Sequence, residues 1–273
     1  MDIRLWRERL GPYDLAVREL TTKFNHLIWE YQAKGLYSPI ESVSGRVKGI
    51  SSILEKMQRK QIPFEDMEKE VEDIAGIRII CQFEEDIHTV AKMIGQRKDM
   101  QVKVIKDYLT NRKPSGYRSY HVIIYYTVEM VDGPETIQVE LQIRTMAMNF
   151  WATNEHSLQY KYKNQIPKPV RQRLKNAANA VLSLDAEMSS VRNEIMDAQI
   201  YSQTRLNLVT EILNNIESLY KYSNKREVIK IQDEFYRIYQ SEDITKLEEF
   251  SRHLDIIAEG YRAQNIYWEE EIE

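Results

Sequence analysis

One cysteine in 273 residues leaves nothing from which to build a disulfide framework or a cysteine-based zinc cluster. That residue, Cys81, lies in the apolar run Ile79-Ile80-Cys81 and reads as a core side chain in a reducing compartment. An excess of one charge is lacking too. Lys and Arg total 38 against 42 Asp and Glu, a formal −4, so no global field recruits duplex nucleic acid or a membrane surface and any anion site must be local. No stretch approaches the ~18 apolar residues of a membrane span, and the N-terminal MDIRLWRERLGPYD has no apolar signal core. The chain therefore reads as soluble and cytoplasmic. A Walker-type phosphate loop, an HExxH pair and a nucleophile elbow are also missing.

Breakers are unevenly spread. Eight of nine glycines and all seven prolines precede residue 170, which leaves only Gly260 to interrupt the last hundred or so residues. Apolar residues there recur at helical spacing: Leu174, Ala177, Ala178, Val181, Leu184 and Met188, then Leu206, Val209, Leu213, Ile216 and Leu219. Residues 198–273 carry 9 basic and 15 acidic side chains, net −6, against 29 and 27, net +2, before them. A boundary near Ala198 divides a domain over 1–197 from an acidic, all-α extension over 198–273.

The first part alternates helices and strands. A helix is expected after Pro12 (Leu15, Val17, Leu20, Phe24, Leu27, Ile28) and a second from Ser44-Gly45 to about Lys60. Strands are expected over 74–83, 102–105, 121–128 and 136–143, the last two joined as a hairpin at Asp132-Gly133-Pro134. Helices around mostly antiparallel strands make this an α+β fold with one sheet face covered by helices.

Several segments bear chemistry. In Thr136-Ile137-Gln138-Val139-Glu140-Leu141-Gln142-Ile143-Arg144 the strand period puts Gln138, Glu140, Gln142 and Arg144 on one face, which by itself is a solvated outer face. Lys48, Ser52 and Lys56, with Lys60 beyond, form one helical stripe suited to a polyphosphate, or an ordinary solvated lysine face. Arg46 opens that helix. Asp73 precedes the apolar strand Ile74 to Ile80, where a carboxylate can hold a divalent ion or be an ordinary strand-end Asp. Arg78 interrupts that strand and needs a partner, either a nucleotide or an internal carboxylate. Lys106-Asp107-Tyr108 and Arg112-Lys113-Pro114-Ser115-Gly116-Tyr117-Arg118-Ser119-Tyr120-His121 make a basic loop with aromatics, offering cations to phosphates and rings to a base. A strand starting at Tyr117 would align Tyr117, Ser119 and His121 on one face.

In that order, Gly45-Arg46-Val47-Lys48, Asp73-Ile74-Ala75-Gly76-Ile77-Arg78, Lys106-Asp107-Tyr108, Gly116-Tyr117-Arg118-Ser119-Tyr120-His121 and Val139-Glu140-Leu141-Gln142-Ile143-Arg144-Thr145 resemble the synthetase domain of RelA/SpoT-type proteins. The following Met148 to Leu158 is most similar to the stand-alone small alarmone synthetases of the RelQ type, and the likeness covers about residues 1–195. It implies a nucleotidyltransferase-like mixed sheet flanked by helices. It also implies transfer of the β,γ-diphosphate of ATP to the 3′-hydroxyl of GDP or GTP, giving the stringent-response alarmones ppGpp or pppGpp and AMP. Residue by residue, it makes Asp73 and Glu140 ligands of Mg²⁺, with Glu140 also the base. Arg46, Lys48, Ser52, Lys56 and Arg78 fall to ATP, and Lys106, Lys113, Tyr117, His121, Gln142 and Asn149 to GDP or GTP. A homotetramer and single-stranded RNA as a regulator are further implications. No histidine is followed by Asp, so the metal site of the hydrolase found in long relatives is not expected. Val104 stands where many long relatives carry Arg, two residues before Lys106. Toxin-like diphosphate transfer to the 3′ end of tRNA and a nucleotide-regulated binding protein are the alternatives.

Overall fold

The computed structural model describes residues 3–162, 166–220 and 224–270. Two compact units divide the chain, Met1–Ser190 and Val191–Glu273. In the first, the elements run α1 (Ile3–Ala33), β1 (Ser42–Val47), α2 (Ile50–Lys60), α3 (Met67–Glu70), β2 (Ala75–Cys81), α4 (Glu84–Gly95), β3 (Gln101–Asp107), β4 (Tyr120–Met130), β5 (Gly133–Thr145), α5 (Met146–Lys161) and the first part of α6 (Lys168–Leu219). The rest of α6, α7 (Lys225–Gln240) and α8 (Ile244–Glu270) follow.

The five strands form one mixed sheet in the order β1-β2-β5-β4-β3, with β2 parallel to β5 and every other pair antiparallel. The inward residues Ile77, Ile79, Val122, Ile124, Val139, Leu141 and Ile143 are almost fully buried against Val17, Leu20 and Phe24 of α1 and Ile87, Val90 and Ile94 of α4. This is the core, and Cys81 belongs to it as expected, fully buried with its thiol pushed far up by burial. In the second unit Ile212, Ile216, Leu219, Val228, Phe235, Leu247, Phe250 and Leu254 make a separate helical core.

Two expected boundaries are corrected. The first helix begins at Ile3 and carries Pro12 inside it. A proline removes one N–H and so resembles a start signal, but here the helix absorbs the loss, with Trp6 and Tyr13 buried on either side. Ser44-Gly45 does not start a helix. It lies in the edge strand β1, and α2 starts only at Ile50. Gly45 is required there by close approach, since a Cβ would sit 2.7 Å from Val17 Cγ1 and 2.8 Å from Ile77 Cδ1. The hairpin is as expected, with Met130 paired to Gly133 and Gly133 at φ 114°.

α6 is fastened to the end of β5 by a buried bond. Thr145 Oγ1 donates to Asp185 Oδ2 at 2.9 Å and accepts from the Met148 amide at 3.0 Å. Burial pushes the Asp185 carboxyl up to about 6, against the lowering effects of Thr145 and Arg118 and with Glu84 adding to the rise. An acid that holds its proton more tightly when folded binds more protons in the native state, so stability falls as pH rises from about 4 to about 6 and then levels off. Asp185→Asn, which keeps the acceptor, is expected to flatten that slope and to unfold above wild type at pH 7. A melting temperature that follows the wild-type pH curve would contradict this.

Candidate active site

The face of the sheet opposite α1 and α4 is polar. Cross-strand register lines up Ser44, Arg78, Gln142, His121 and Lys106 in one row across all five strands, because each is paired with the next. The adjacent row is Arg46, Gly76, Glu140, Ile123 and Val104. Directly paired residues share a face, so residues from five separate segments meet through register alone. Gly76 keeps that row open, since a Cβ there would find nothing nearer than the Arg46 carbonyl at 4.0 Å.

Glu140 is the centre of a closed ring of hydrogen bonds. Arg144 Nη2 donates to Tyr117 Oη at 2.5 Å and to Gln142 Oε1 at 2.9 Å. Tyr117 Oη also lies 2.9 Å from His121 Nε2. An ionised carboxylate only accepts, so His121 Nδ1 donates to Glu140 Oε1 at 2.9 Å. Gln142 Nε2 closes the ring on Glu140 Oε2 at 2.5 Å. Burial pushes Glu140 up, but the His121 and Gln142 bonds outweigh it and hold the carboxyl below its ordinary range, with Asp73 opposing them. The carboxylate is therefore ionised at neutral pH and fixed in orientation. The solvated outer face expected from β5 alone is overturned: Gln138 and Arg144 are buried, and Gln138 donates to the Glu68 and Lys69 carbonyls.

Asp73 sits between two ammonium groups. Lys48 Nζ and Lys56 Nζ each donate to one of its oxygens at 2.6 Å. Its burial favours the neutral acid, yet the two charged donors win and its pKa lies below the usual range. Lys48 is not on the α2 stripe as expected; it occupies the turn between β1 and α2, and the lysines converge because Asp73 draws both. A cavity of ≈ 490 Å³ opens beside them, lined by Arg46, Lys48, Ser52, Lys56, Arg59 and His156 among others. Lys60 lies outside this lining, and Arg59 and His156 enter it instead. A smaller cavity of ≈ 150 Å³ joins Arg46 to Arg78, Gly76 and Gln142. Arg78 has no ion pair among the described residues, and its Nε is buried without a partner. Burial, then the neighbouring Arg144 and Arg46 cations, lower its pKa. The internal carboxylate weighed for Arg78 from sequence is thus absent among these residues, and Arg78 lines the smaller cavity.

On the other flank, Lys106 pairs with Glu72. Lys113 Nζ lies 4.3 Å from the Tyr108 ring centre and 4.7 Å from that of Tyr117. Tyr117 precedes β4, which starts at Tyr120, and packs edge-on to Tyr108 and His121. Ser119 is buried beside them, donating to the Ile143 carbonyl and accepting from the Nε of Arg144, the side chain that also bonds Tyr117. Asn149 on α5 has a buried Oδ1 with no partner. Glu72, Arg59, His156 and Lys103 escaped the sequence reading. Only Arg59, one residue from a lysine on an amphipathic helix, left a local signal.

Comparisons with known proteins converge on one family. Residues 45–165 match the model of the region found in RelA/SpoT proteins. The GTP pyrophosphokinase YjbM of Bacillus subtilis is 49% identical over 199 residues, 73% of this chain and 94% of that protein. YwaC of the same organism, also a GTP pyrophosphokinase, is 40% identical over 192 residues, 70% of this chain and 91% of its own. A GTP pyrophosphokinase family protein from Streptococcus pneumoniae superposes with a TM-score of 0.69 at 46% identity, covering 73% of this chain and 98% of that one. The small alarmone synthetase 1 of Bacillus subtilis bound to its product pppGpp gives 0.69 at 48% identity, over 70% and 98%. No helix among the described residues is long and apolar enough to cross a membrane. With the polar face assembled from the same segments that carry the sequence match, the chain belongs to the RelA/SpoT family, among its GTP pyrophosphokinases.

Proposed function

We propose that this protein is a GTP pyrophosphokinase that moves the β,γ-diphosphate of ATP to the 3′-hydroxyl of GDP or GTP, yielding ppGpp or pppGpp and AMP. The observation that carries the reading is Glu140, ionised and oriented, standing between a cationic cavity on the β1–α2 flank and a cationic, aromatic loop on the β3–β4 flank. One flank suits the donor triphosphate and the other the acceptor. The 3′-oxygen forms a bond to the β-phosphorus while the bond from that phosphorus to the α,β-bridging oxygen breaks, and AMP departs with the electron pair. Glu140 hydrogen-bonds the hydroxyl and takes its proton as the new bond forms. A carboxylate of low pKa is a weak base, so its main contribution is orientation, as in other phosphoryl transfers through loose transition states.

Arg46, Lys48, Lys56 and Arg78 stabilise charge that spreads over the transferred group and the leaving phosphate. Asp73 and Glu140 together suit Mg²⁺, which keeps water and phosphate ligands and asks for only one or two carboxylates. When bound there the ion supplies charge neutralisation at the diphosphate. A homo-oligomer belongs to the same reading, supported by the exposure of Trp29 (60%) and Phe150 (71%); a monomeric mass by light scattering would remove it.

Incubation with γ-labelled ATP, Mg²⁺ and GDP, GTP or tRNA tests the function. Label is expected in ppGpp or pppGpp. Label in tRNA alone, or in no acceptor, would overturn the proposal.

A further inference from the structure

In a regular strand Lys103 and Lys106, three residues apart, belong on opposite faces. They share one here. Val102 pairs with Ile124 while Val104 pairs with the next residue back, Ile123, so Lys103 is an extra residue in a β-bulge. The bulge turns Lys103 Nζ onto the catalytic face, 2.8 Å from Gln138 Oε1 and 3.8 Å from Glu72 Oε1. The other oxygen of Glu72 accepts from Lys106. One carboxylate thus holds two ammonium groups together at the β3 edge of the site, and bulges beside active sites commonly re-aim a side chain in this way.

The location indicates what these cations meet. The ATP-side cations Arg46, Lys48 and Lys56 come from β1, α2 and the turn between them, whereas Lys103 and Lys106 lie on β3, beyond β4 on the far side of β5. An acceptor whose 3′-hydroxyl reaches Glu140 from that side has a single strongly charged part, its 5′-phosphate chain. Resting on the function proposed above, we infer that Lys103 and Lys106 seat the terminal 5′-phosphate of the acceptor, and that Glu72 occupies the seat while it is empty. Lys103 then supplies a cation next to Val104, in a stretch where a regular strand would have offered only Lys106. The third phosphate of GTP carries charge that a second ammonium rewards and that GDP lacks. Lys103 is on this account a specificity residue favouring GTP.

The test compares kcat/KM for GTP with kcat/KM for GDP, alongside calorimetric titration of each nucleotide without ATP. Lys103→Met is expected to lower the GTP/GDP ratio about tenfold, the size of one charge-assisted phosphate contact, and to weaken GTP binding by a similar factor. Lys103→Arg should keep the ratio near wild type, and Glu72→Gln should move it toward GTP. Lys103 lies on an exposed edge strand, and circular dichroism confirms that each variant is folded. An unmoved ratio, or equal losses with both nucleotides, in an active Lys103→Met enzyme overturns the assignment of Lys103. A wild-type protein that transfers to neither nucleotide overturns the proposed function instead.

Discussion

Glu140→Gln is expected to lower turnover by at least ~10²-fold, because the change removes the charge that suits a divalent ion and the group that, in the proposed function, takes the 3′-hydroxyl proton. The shape of the side chain survives, and the ring around it adapts: the amide oxygen still accepts from one neighbour, and His121 can shift its proton to Nε2 to accept from the new amide. Folding should therefore be retained. Steady-state rates with γ-labelled ATP and GDP or GTP, together with a melting curve, check this. Turnover within a few-fold of wild type in a folded variant would remove Glu140 from the chemistry.

Asp73→Asn is expected to produce two effects of opposite sign. Turnover should fall by at least ~10²-fold, because in the proposed function Asp73 is one of the two carboxylates that would hold Mg²⁺. Binding of ATP in the presence of EDTA should tighten, by about tenfold, since each phosphate contact no longer competes with a carboxylate for its ammonium group. The geometry behind this is the pair of 2.6 Å bonds from Lys48 and Lys56, which tie both cations to Asp73 in the nucleotide-free protein. Asp73, were it to hold a divalent ion as proposed, would release Lys48 and Lys56 for phosphate, so metal and nucleotide should bind cooperatively. Isothermal titration with and without Mg²⁺ measures both parts. Weaker metal-free ATP binding in the variant would show that the lysines depend on Asp73 for their position and gain nothing from its removal.

The division between local and distant information follows the physics of each element. Strand alternation over 137–143 is written in the sequence because period two needs only neighbours in the chain, and it correctly set Glu140 and Gln142 on one face. The helical character of the last hundred residues is equally local, since no breaker but Gly260 interrupts its apolar spacing. Part of the polar lining was legible as well, because Lys48, Asp73, Lys106, Lys113, Tyr117, His121 and Glu140 lie in short segments whose composition stands out, whereas Glu72, His156 and Lys103 left no such signal. Local reasoning failed where a residue's surroundings come from elsewhere. Gly45 resembles punctuation, yet it is glycine because α1 crosses β1 there, a contact between residues 28 positions apart that no local pattern encodes. The i, i+4, i+8 spacing of Lys48, Ser52 and Lys56 is that of one helical stripe, but the chain turns between β1 and α2 at Lys48, and only the long-range bond to Asp73 restores the grouping.

Three features were decided by tertiary structure alone. The row from Ser44 to Lys106 depends on strand order and register, which follow from how the whole sheet packs on α1 and α4. The ring through Arg144, Tyr117, His121, Glu140 and Gln142 needs β4 and β5 in one register, and it converts a polar face that alternation assigns to solvent into a buried, oriented carboxylate. The bulge at Lys103 reverses the face of one side chain without any glycine or proline to announce it. The sequence by itself thus determined the strand alternation, the helical character of the C-terminal part and the likeness to the family, because these are properties of segments. Their partners, and with them the ionisation of Glu140 and the pairing of Lys103 with Lys106, were set by the folded sheet, because hydrogen bonds and burial act between groups that only folding brings within reach.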